Sequence, residues 1–169
     1  QDIEEVIGAN PGHIVASSAC IGGWLGVCFN NKLEDEAMRF ITWCKTIFKE
    51  DFYLEIQPAR YEEQIEYNKW LLDVGKHTNT KCIITTDSHY LKKEDASVHK
   101  AFLNAQDGDR EVDSFYATTY LMSTDELESY FQYFSKIQLA TAYENIEKIK
   151  GMCEDFSLLK ELKIPSLDW

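Results

Sequence analysis

The octapeptide CIITTDSH, at residues 82–89, is the most informative part of this sequence. Its first five residues are apolar or β-branched, a composition typical of a short buried β-strand. Three polar residues follow, with a carboxylate at Asp87 and an imidazole at His89. Ligands bind beyond the carboxyl ends of strands in parallel sheets and in barrels. The octapeptide therefore predicts a strand that delivers chemically useful side chains to such an edge.

Two further strands and two helices are predicted ahead of this octapeptide. Residues 13–19 form an apolar run that ends at Cys20, and residues 52–57 alternate apolar and polar side chains. Residues 33–50 and 61–76 carry apolar side chains at helical spacing. Strand, helix, strand, helix, strand is the order of two βαβ units, whose crossovers produce a parallel sheet covered by helices. The first half is therefore predicted to belong to the α/β class.

The second half is predicted to be mostly helical. An S-x-x-E capping box that begins at Ser123 predicts a helix start. Residues 94–105 and 137–152 have apolar side chains at helical spacing. We therefore expect a βα-repeat portion over residues 1–110 and a C-terminal helical extension over residues 111–169, which together form one structural unit.

Composition and charge limit the functions open to the chain. Its 169 residues include 29 acidic side chains and 17 Lys or Arg side chains, for a net charge of −12. Because nucleic-acid affinity depends mainly on basic residues, this charge argues against a DNA-gripping surface and equally against binding to anionic membranes. The content of 44% hydrophobic and 13% aromatic residues argues against disorder.

Cysteine usage and the start of the chain indicate its cellular setting. The five cysteines are odd in number and form no C-x-x-C pair, which favours a reducing, cytoplasmic compartment over a disulfide framework or a zinc ribbon. No run approaches the ~20 apolar residues of a membrane span, and residues 1–5 lack the features of a signal peptide. The first residue is Gln rather than Met, which is expected of a chain that begins inside a longer protein and equally of one whose initial Met is removed.

Cys20, Asp87 and His89 are predicted to share one edge of the sheet, because each follows the carboxyl end of a strand. A thiolate, a carboxylate and an imidazole suit a divalent metal such as zinc, and three protein ligands leave a position open for catalysis. In extended backbone, residues i and i+2 point the same way, so Asp87 and His89 can bind one ion together. The alternative is structural, because D-x-H occurs by chance and a buried cysteine is more often a small hydrophobe than a ligand.

Four other polar side chains are weaker candidates for this site: His13, His77, His99 and Glu55. His13 begins its strand, at the opposite edge of the sheet. His77 lies near a predicted helix C-terminus, where a positively charged imidazole interacts favourably with the helix dipole. His99 can approach the same edge from the predicted helix over residues 94–105, although packing is the commoner role. Glu55 points off the apolar face of its strand, so it either supports the site or is simply solvated.

Short motifs in a fixed order carry a family resemblance. They are IVASSACIGG (14–23), DFYLEIQ (51–57), TTDSHYL (85–91), EDA (94–96) with His99, FY (115–116), YLMS (120–123) and DEL (125–127). Together they resemble the later part of the PHP (polymerase and histidinol phosphatase) domain in the alpha subunit of bacterial DNA polymerase III. The resemblance extends over residues 11–153, and the order and spacing of the motifs make it specific.

The resemblance implies that this α/β chain is part of a distorted β/α (PHP) barrel with metal ions at the carboxyl ends of its strands. By that likeness, Cys20, Asp87 and His89 match family positions that bind a divalent metal, which is zinc, manganese or magnesium. Active family members hydrolyse phosphate esters, as a proofreading 3′–5′ exonuclease or a pyrophosphatase. In others the domain is a scaffold for the polymerase and its exonuclease partner. The parent chain is a nucleotidyltransferase that carries out templated DNA synthesis in DNA replication.

The sequence also departs from the family pattern. The family's opening H-x-H motif and further His and acidic ligands lie upstream of the first residue, and the polymerase palm is expected after Trp169. Trp24 stands where the family often has Glu, and Thr86 stands where it often has Asn. Because only three ligands of a larger set remain, we expect this chain alone to be inactive in phosphoester cleavage.

Three functional hypotheses follow. The leading one is a fragment of the PHP domain of a replicative DNA polymerase III alpha subunit, whose metals activate water and neutralise phosphate charge. The second is a non-catalytic, acidic docking module. The third is a free-standing metal-dependent phosphoesterase whose missing ligands come from another subunit. The expected partners are the remainder of a polymerase chain or other replisome subunits, with DNA bound through the parent chain and no membrane involved.

Overall fold

The computed structural model describes residues 2–107, 115–155, 157 and 159. Within these ranges the helices are α1 (Asp2–Ala9), α2 (Trp24–Asn30), α3 (Glu34–Phe48), α4 (Glu62–Thr78), α5 (Ala96–Asp107), α6 (Thr124–Glu128) and α7 (Lys136–Met152). The strands are β1 (Ala16–Ser17), β2 (Phe52–Ile56) and β3 (Lys81–Ile84). Short 3-10 helices occupy Lys49–Asp51, Lys93–Asp95 and Tyr116–Thr118. The protein is therefore mixed α/β.

The three strands form one parallel sheet in the order β1-β2-β3. Ala16 lies opposite Phe52, and Leu54 lies opposite Cys82. Helices separate each strand from the next, so the predicted parallel sheet with helical crossovers is confirmed. The described strands form an open sheet and do not close into a barrel among themselves.

Two hydrophobic clusters hold the helices on the sheet. Phe52 and Leu54 of the central strand β2 are buried in a cluster with α2, α3 and α4. Ile56 of the same strand belongs to a second cluster, with β3, α6 and α7. Full burial of a Leu, Ile or Phe side chain contributes about 1.5–3 kcal/mol. Strand β2 therefore stabilises both groups of helices.

Most predicted elements are present, with three differences. Helix α4 closely matches the predicted residues 61–76, and the helix start predicted at Ser123 is confirmed by a hydrogen bond from the Glu126 amide to its Oγ. The first difference is that α6, which begins there, has only five residues. The second is that β1 pairs over two residues rather than over 13–19. The third is that α1 and α2 lie where no helix was predicted.

The predicted boundary between residues 110 and 111 lies outside the described residues, so the division into two portions stays a prediction. Described parts on either side of it are in contact, since α7 packs against β3 and Asn145 Nδ2 donates a hydrogen bond to the Cys82 carbonyl at 2.9 Å. In the ranges given above, no helix has the length and apolar character needed to cross a membrane.

Candidate functional site at the carboxyl edge of the sheet

Three strand ends meet at one edge of the sheet, around the carboxylate of Glu55. Ser17, at the end of β1, donates a hydrogen bond to Glu55 Oε2 at 2.5 Å, and Thr85, directly after β3, donates to Oε1 at 2.6 Å. Gln57 Nε2 also donates to Oε1, at 2.9 Å. Hydrogen bonds to an ionised acceptor are shorter and stronger than those between neutral groups. One side chain therefore links all three strands at the edge where parallel sheets bind ligands.

Cys20 lies in the turn that follows β1, at this same edge. The turn is tight, because Ala19 has a positive φ of 60° and a Cβ on Gly23 would approach backbone carbonyl oxygens of the turn to 3.0 and 3.1 Å. The thiol is half-buried. Burial, the Glu63 carboxylate and the charge of Cys20 together raise the pKa of Tyr61 from 10.0 to about 12. Cys20 is thus coupled electrostatically to Tyr61, the residue directly before α4.

The hydroxyl of Tyr67 has no hydrogen-bond partner among the described residues, although the side chain is fully buried. Tyr67 belongs to α4, and its ring packs against Phe29 and stacks on Trp70. Burial raises the pKa of Tyr67 above its ordinary value, and the charges of Cys20 and Glu55 raise it further. An unpaired buried hydroxyl costs about 1–3 kcal/mol. A polar group bound at this edge, within reach of the hydroxyl, would remove that cost.

Asp87 and His89 lie together in the loop that follows β3. Asp87 adopts a positive φ of 46°, which Asp tolerates better than most residues, so the backbone here is not extended as predicted. His89 Nδ1 lies 2.5 Å from the Asp87 carbonyl oxygen and 4.0 Å from Asp87 Oδ1. The His89 amide donates to the Thr119 carbonyl at 2.7 Å, which ties the loop to the second half of the chain. Both side chains are about one third exposed, so a ligand can reach them.

His99 brings a second imidazole to this loop. It lies in α5, with its ring centroid 5.6 Å from that of His89 and 4.8 Å from that of Tyr116. Burial and the neighbouring His89 lower the pKa of His99, so the neutral form of its imidazole is favoured at neutral pH. The ring also lies 5.3 Å from Tyr90. His99 therefore approaches the edge and is packed among aromatic rings at the same time.

The three predicted ligands occupy one edge but do not form a metal centre by themselves. Cys20 influences the pKa of Tyr61 and of Tyr67, whereas His89 contacts His99 and Tyr116. Within the described ranges, no three His, Cys, Asp or Glu side chains are grouped closely enough to hold an ion. The donor types suit a divalent cation. Separately, the Tyr67 hydroxyl has no hydrogen-bond partner among the described residues. A metal ion at this edge would therefore need a larger ligand set than the described residues provide.

The hydroxyls of Ser17, Thr85 and Tyr67 were not predicted to take part in this edge. For Glu55 two alternatives were open, and its three hydrogen bonds favour the supporting role over simple solvation. The signal available in the sequence was the polar face of the alternating segment 52–57, which includes Glu55. In the structure, Glu55 lies beside polar residues of both neighbouring strands. Helical spacing in α4 indicates only that Tyr67 is in the core.

Removal of the Tyr67 hydroxyl is expected not to destabilise the metal-free chain. Tyr67→Phe keeps the ring contacts and deletes a hydroxyl without a partner, so the free energy of unfolding should stay the same or rise by up to about 1 kcal/mol. Urea denaturation followed by circular dichroism measures this change. Tyr133→Phe is the matched control, because the Tyr133 hydroxyl accepts a hydrogen bond from Asn68 at 2.9 Å, and its loss should cost about 1 kcal/mol. Equal losses in both variants would contradict the unpaired state of Tyr67.

Comparison with known proteins identifies the relatives of the chain. It is 38% identical to the probable DNA polymerase YorL of Bacillus subtilis (strain 168) and to a DNA-directed DNA polymerase of Bacillus phage SPbeta, over 99% of the chain in both cases. It is 29% identical to the DNA polymerase III subunit alpha of Borreliella burgdorferi, over 86% of the chain. The chain is a homologue of DNA polymerase III alpha subunits. No family model matches it.

The homology to these DNA polymerases extends over a small part of each of them. The chain spans 14% of the length of the Bacillus subtilis relative and 13% of the Borreliella relative. The resemblance carried by the short motifs is thereby confirmed at the level of the polymerase family. The activity of a whole polymerase does not follow for this chain from a match of that extent.

Proposed function

We propose that this chain is the later part of the PHP domain of a DNA polymerase III alpha subunit, and that it supplies Cys20, Asp87 and His89 to a divalent metal site. The observation that supports this proposal most strongly is the meeting of three strand ends at Glu55, next to the loops that carry these ligands. Zinc, manganese or magnesium bound at this edge would activate water and neutralise phosphate charge, which is the chemistry of phosphoester hydrolysis.

The remaining ligands are proposed to come from outside this chain, within a β/α barrel. Strands β1 and β3 are the outer strands of an open sheet. Each therefore has backbone donors and acceptors on its outer side that a further strand could pair with, although on β3 the Cys82 carbonyl already accepts a hydrogen bond from Asn145 of α7. Closing a barrel requires such pairing on both sides. The open sheet and the partial ligand set thus point to the same conclusion, since both are completed by additional strands.

Templated DNA synthesis and duplex binding are proposed for the parent polymerase rather than for this segment. The chain carries 29 acidic against 17 Lys or Arg side chains, and strong binding to a phosphate backbone depends on basic residues. The proposed partners are accordingly the remainder of the polymerase chain and other replisome subunits. DNA would reach the metal edge only as a substrate end presented by those parts.

A scaffold role without catalysis is the second candidate, and exposed apolar side chains on α5 favour it. Val98 and Phe102 lie one helical turn apart and are 68% and 59% exposed. Such a strip suits contact with another protein surface. This alternative predicts that His89→Ala leaves polymerase assembly unchanged, whereas charged substitutions at Val98 and Phe102 disrupt it.

Metal binding and hydrolysis by the full-length protein test the leading proposal. Replacing Cys20, Asp87 and His89 together by Ala is expected to lower metal affinity by at least about 100-fold, because the loss of direct ligands should exceed the 10–100-fold effect typical of their outer partners. Hydrolysis of a phosphate ester should fall in parallel, while DNA synthesis is retained. His77→Ala, an exposed histidine at the end of α4, is the control. Unchanged metal affinity in the triple variant would reject the proposal.

A further inference from the structure

The carboxylate of Glu55 links the two loops that carry the predicted ligands. The backbone ladder of the sheet ends with a hydrogen bond from the Ser18 amide to the Tyr53 carbonyl at 2.9 Å, and one from the Thr85 amide to the Ile56 carbonyl at 3.0 Å. Beyond Ser18 and Thr85, both segments of the chain leave the sheet. Beyond the ladder, the relative position of the two loops therefore depends in part on side-chain hydrogen bonds.

The two oxygens of Glu55 face different strands. Oε2 accepts a hydrogen bond from Ser17, three residues before Cys20, and Oε1 accepts one from Thr85, two residues before Asp87. The oxygen–oxygen distances of these two hydrogen bonds are 2.5 and 2.6 Å. Because the separation of the two oxygens in a carboxylate is fixed, the group acts as a spacer between the two strand ends.

We propose that Glu55 is a positioning residue, which sets the separation between the Cys20 loop and the loop of Asp87 and His89. It acts through Ser17 and Thr85 and touches no substrate. The inference rests on the proposed function, since an ion can bind across two loops only when their ligands stand at a fixed distance. Loss of a group that orients metal ligands typically lowers metal affinity by about 10–100-fold.

The first test uses the full-length protein without metal. Ser17→Ala removes the hydrogen bond between β1 and the Glu55 carboxylate. Hydrogen exchange is then measured at the His89 amide, in the loop that follows the strand bound to the other oxygen of Glu55. We expect exchange about tenfold faster in Ser17→Ala and in Glu55→Ala, which is the effect of losing one hydrogen bond to a charged group. Glu5→Gln, at an exposed position on α1, is the charge-matched control and should leave the rate unchanged. An unchanged rate in both link variants overturns the inference.

The second test measures affinity for Co²⁺ alone, by absorption titration of the same variants. Glu55→Ala and Thr85→Val are expected to raise the Kd by about 10–100-fold. Glu55→Gln should retain most of the affinity, because its amide has one acceptor and one donor group and both neighbouring hydroxyls can reverse their hydrogen bonds. If Glu55→Gln is as damaging as Glu55→Ala, the charge itself binds the ion and the positioning role is wrong.

Failure of the proposed function gives a different result. In that case the unmodified protein binds no Co²⁺ through Cys20, Asp87 and His89, whatever residue stands at position 55. The exchange rate of the His89 amide still decides whether Glu55 couples the two loops, because that measurement requires no metal.

Discussion

Gly26→Ala is expected to destabilise the chain by about 3 kcal/mol or more, because the added methyl group overlaps backbone atoms. A Cβ on Gly26 would lie 1.7 Å from the Ile21 carbonyl oxygen and 2.5 Å from its carbonyl carbon. Both are backbone atoms, so no side-chain rotation relieves the overlap. The better helix propensity of alanine offsets about 1 kcal/mol at most. Helix α2 must therefore move away from Ile21, which is buried in the first hydrophobic cluster.

Gly151→Ala is the matched control for this prediction. Gly151 lies on an exposed part of α7, and a Cβ there meets no atom within 4 Å. Its replacement should raise the free energy of unfolding by about 0.5–1 kcal/mol through helix propensity alone. Urea denaturation of both variants measures the difference. Because Ile21 directly follows Cys20, Gly26→Ala should also change the alkylation rate of the Cys20 thiol. Equal stability of the two glycine variants would contradict the close approach of α2 to Ile21.

The two longer strands could be predicted from the sequence. Residues 52–57 and 82–86 carry the apolar side chains that a covered sheet requires, and these became β2 and β3. Helix α2 could not be predicted, because its seven residues are shorter than the window of about 11–18 residues in which helical spacing is recognised, and it begins directly after Gly23. The short pairing of β1 could not be predicted either, since composition does not encode where the backbone of β2 lies.

The candidate site could be predicted in outline but not in its hydrogen bonding. The D-x-H spacing and the strand ends located the edge. The contacts of Glu55 depend on strand register, which places Ser17 opposite Tyr53 and Glu55 opposite Ile83. Register is a property of paired backbones, so a single sequence segment does not reveal it. The unpaired hydroxyl of Tyr67 depends in the same way on what surrounds α4 in three dimensions.

Asn68→Ala is expected to lower the free energy of unfolding by about 4 kcal/mol, because four hydrogen bonds, three of them buried, end at this one side chain. Its Nδ2 donates to the Gln57 carbonyl at 2.7 Å and to the Tyr133 hydroxyl at 2.9 Å. Its Oδ1 accepts from the Gln57 amide at 3.3 Å and from Gln64 Nε2 at 2.9 Å. Asn68 is fully buried and Gln64 nearly so. Water therefore cannot replace the lost partners without opening the core.

Asn68→Leu separates the polar cost from the cost of a cavity. Leucine fills the volume of the asparagine but leaves the same groups of Gln57 and Gln64 unpaired, so its loss should approach that of Asn68→Ala in urea denaturation. Tyr133→Phe removes one end of the network and should lose only about 1 kcal/mol. Since Gln57 also donates to Glu55, both Asn68 variants should speed hydrogen exchange at the strand end that carries the candidate site. Wild-type stability in Asn68→Leu would mean that the network contributes no net free energy and that packing alone holds β2 against α4.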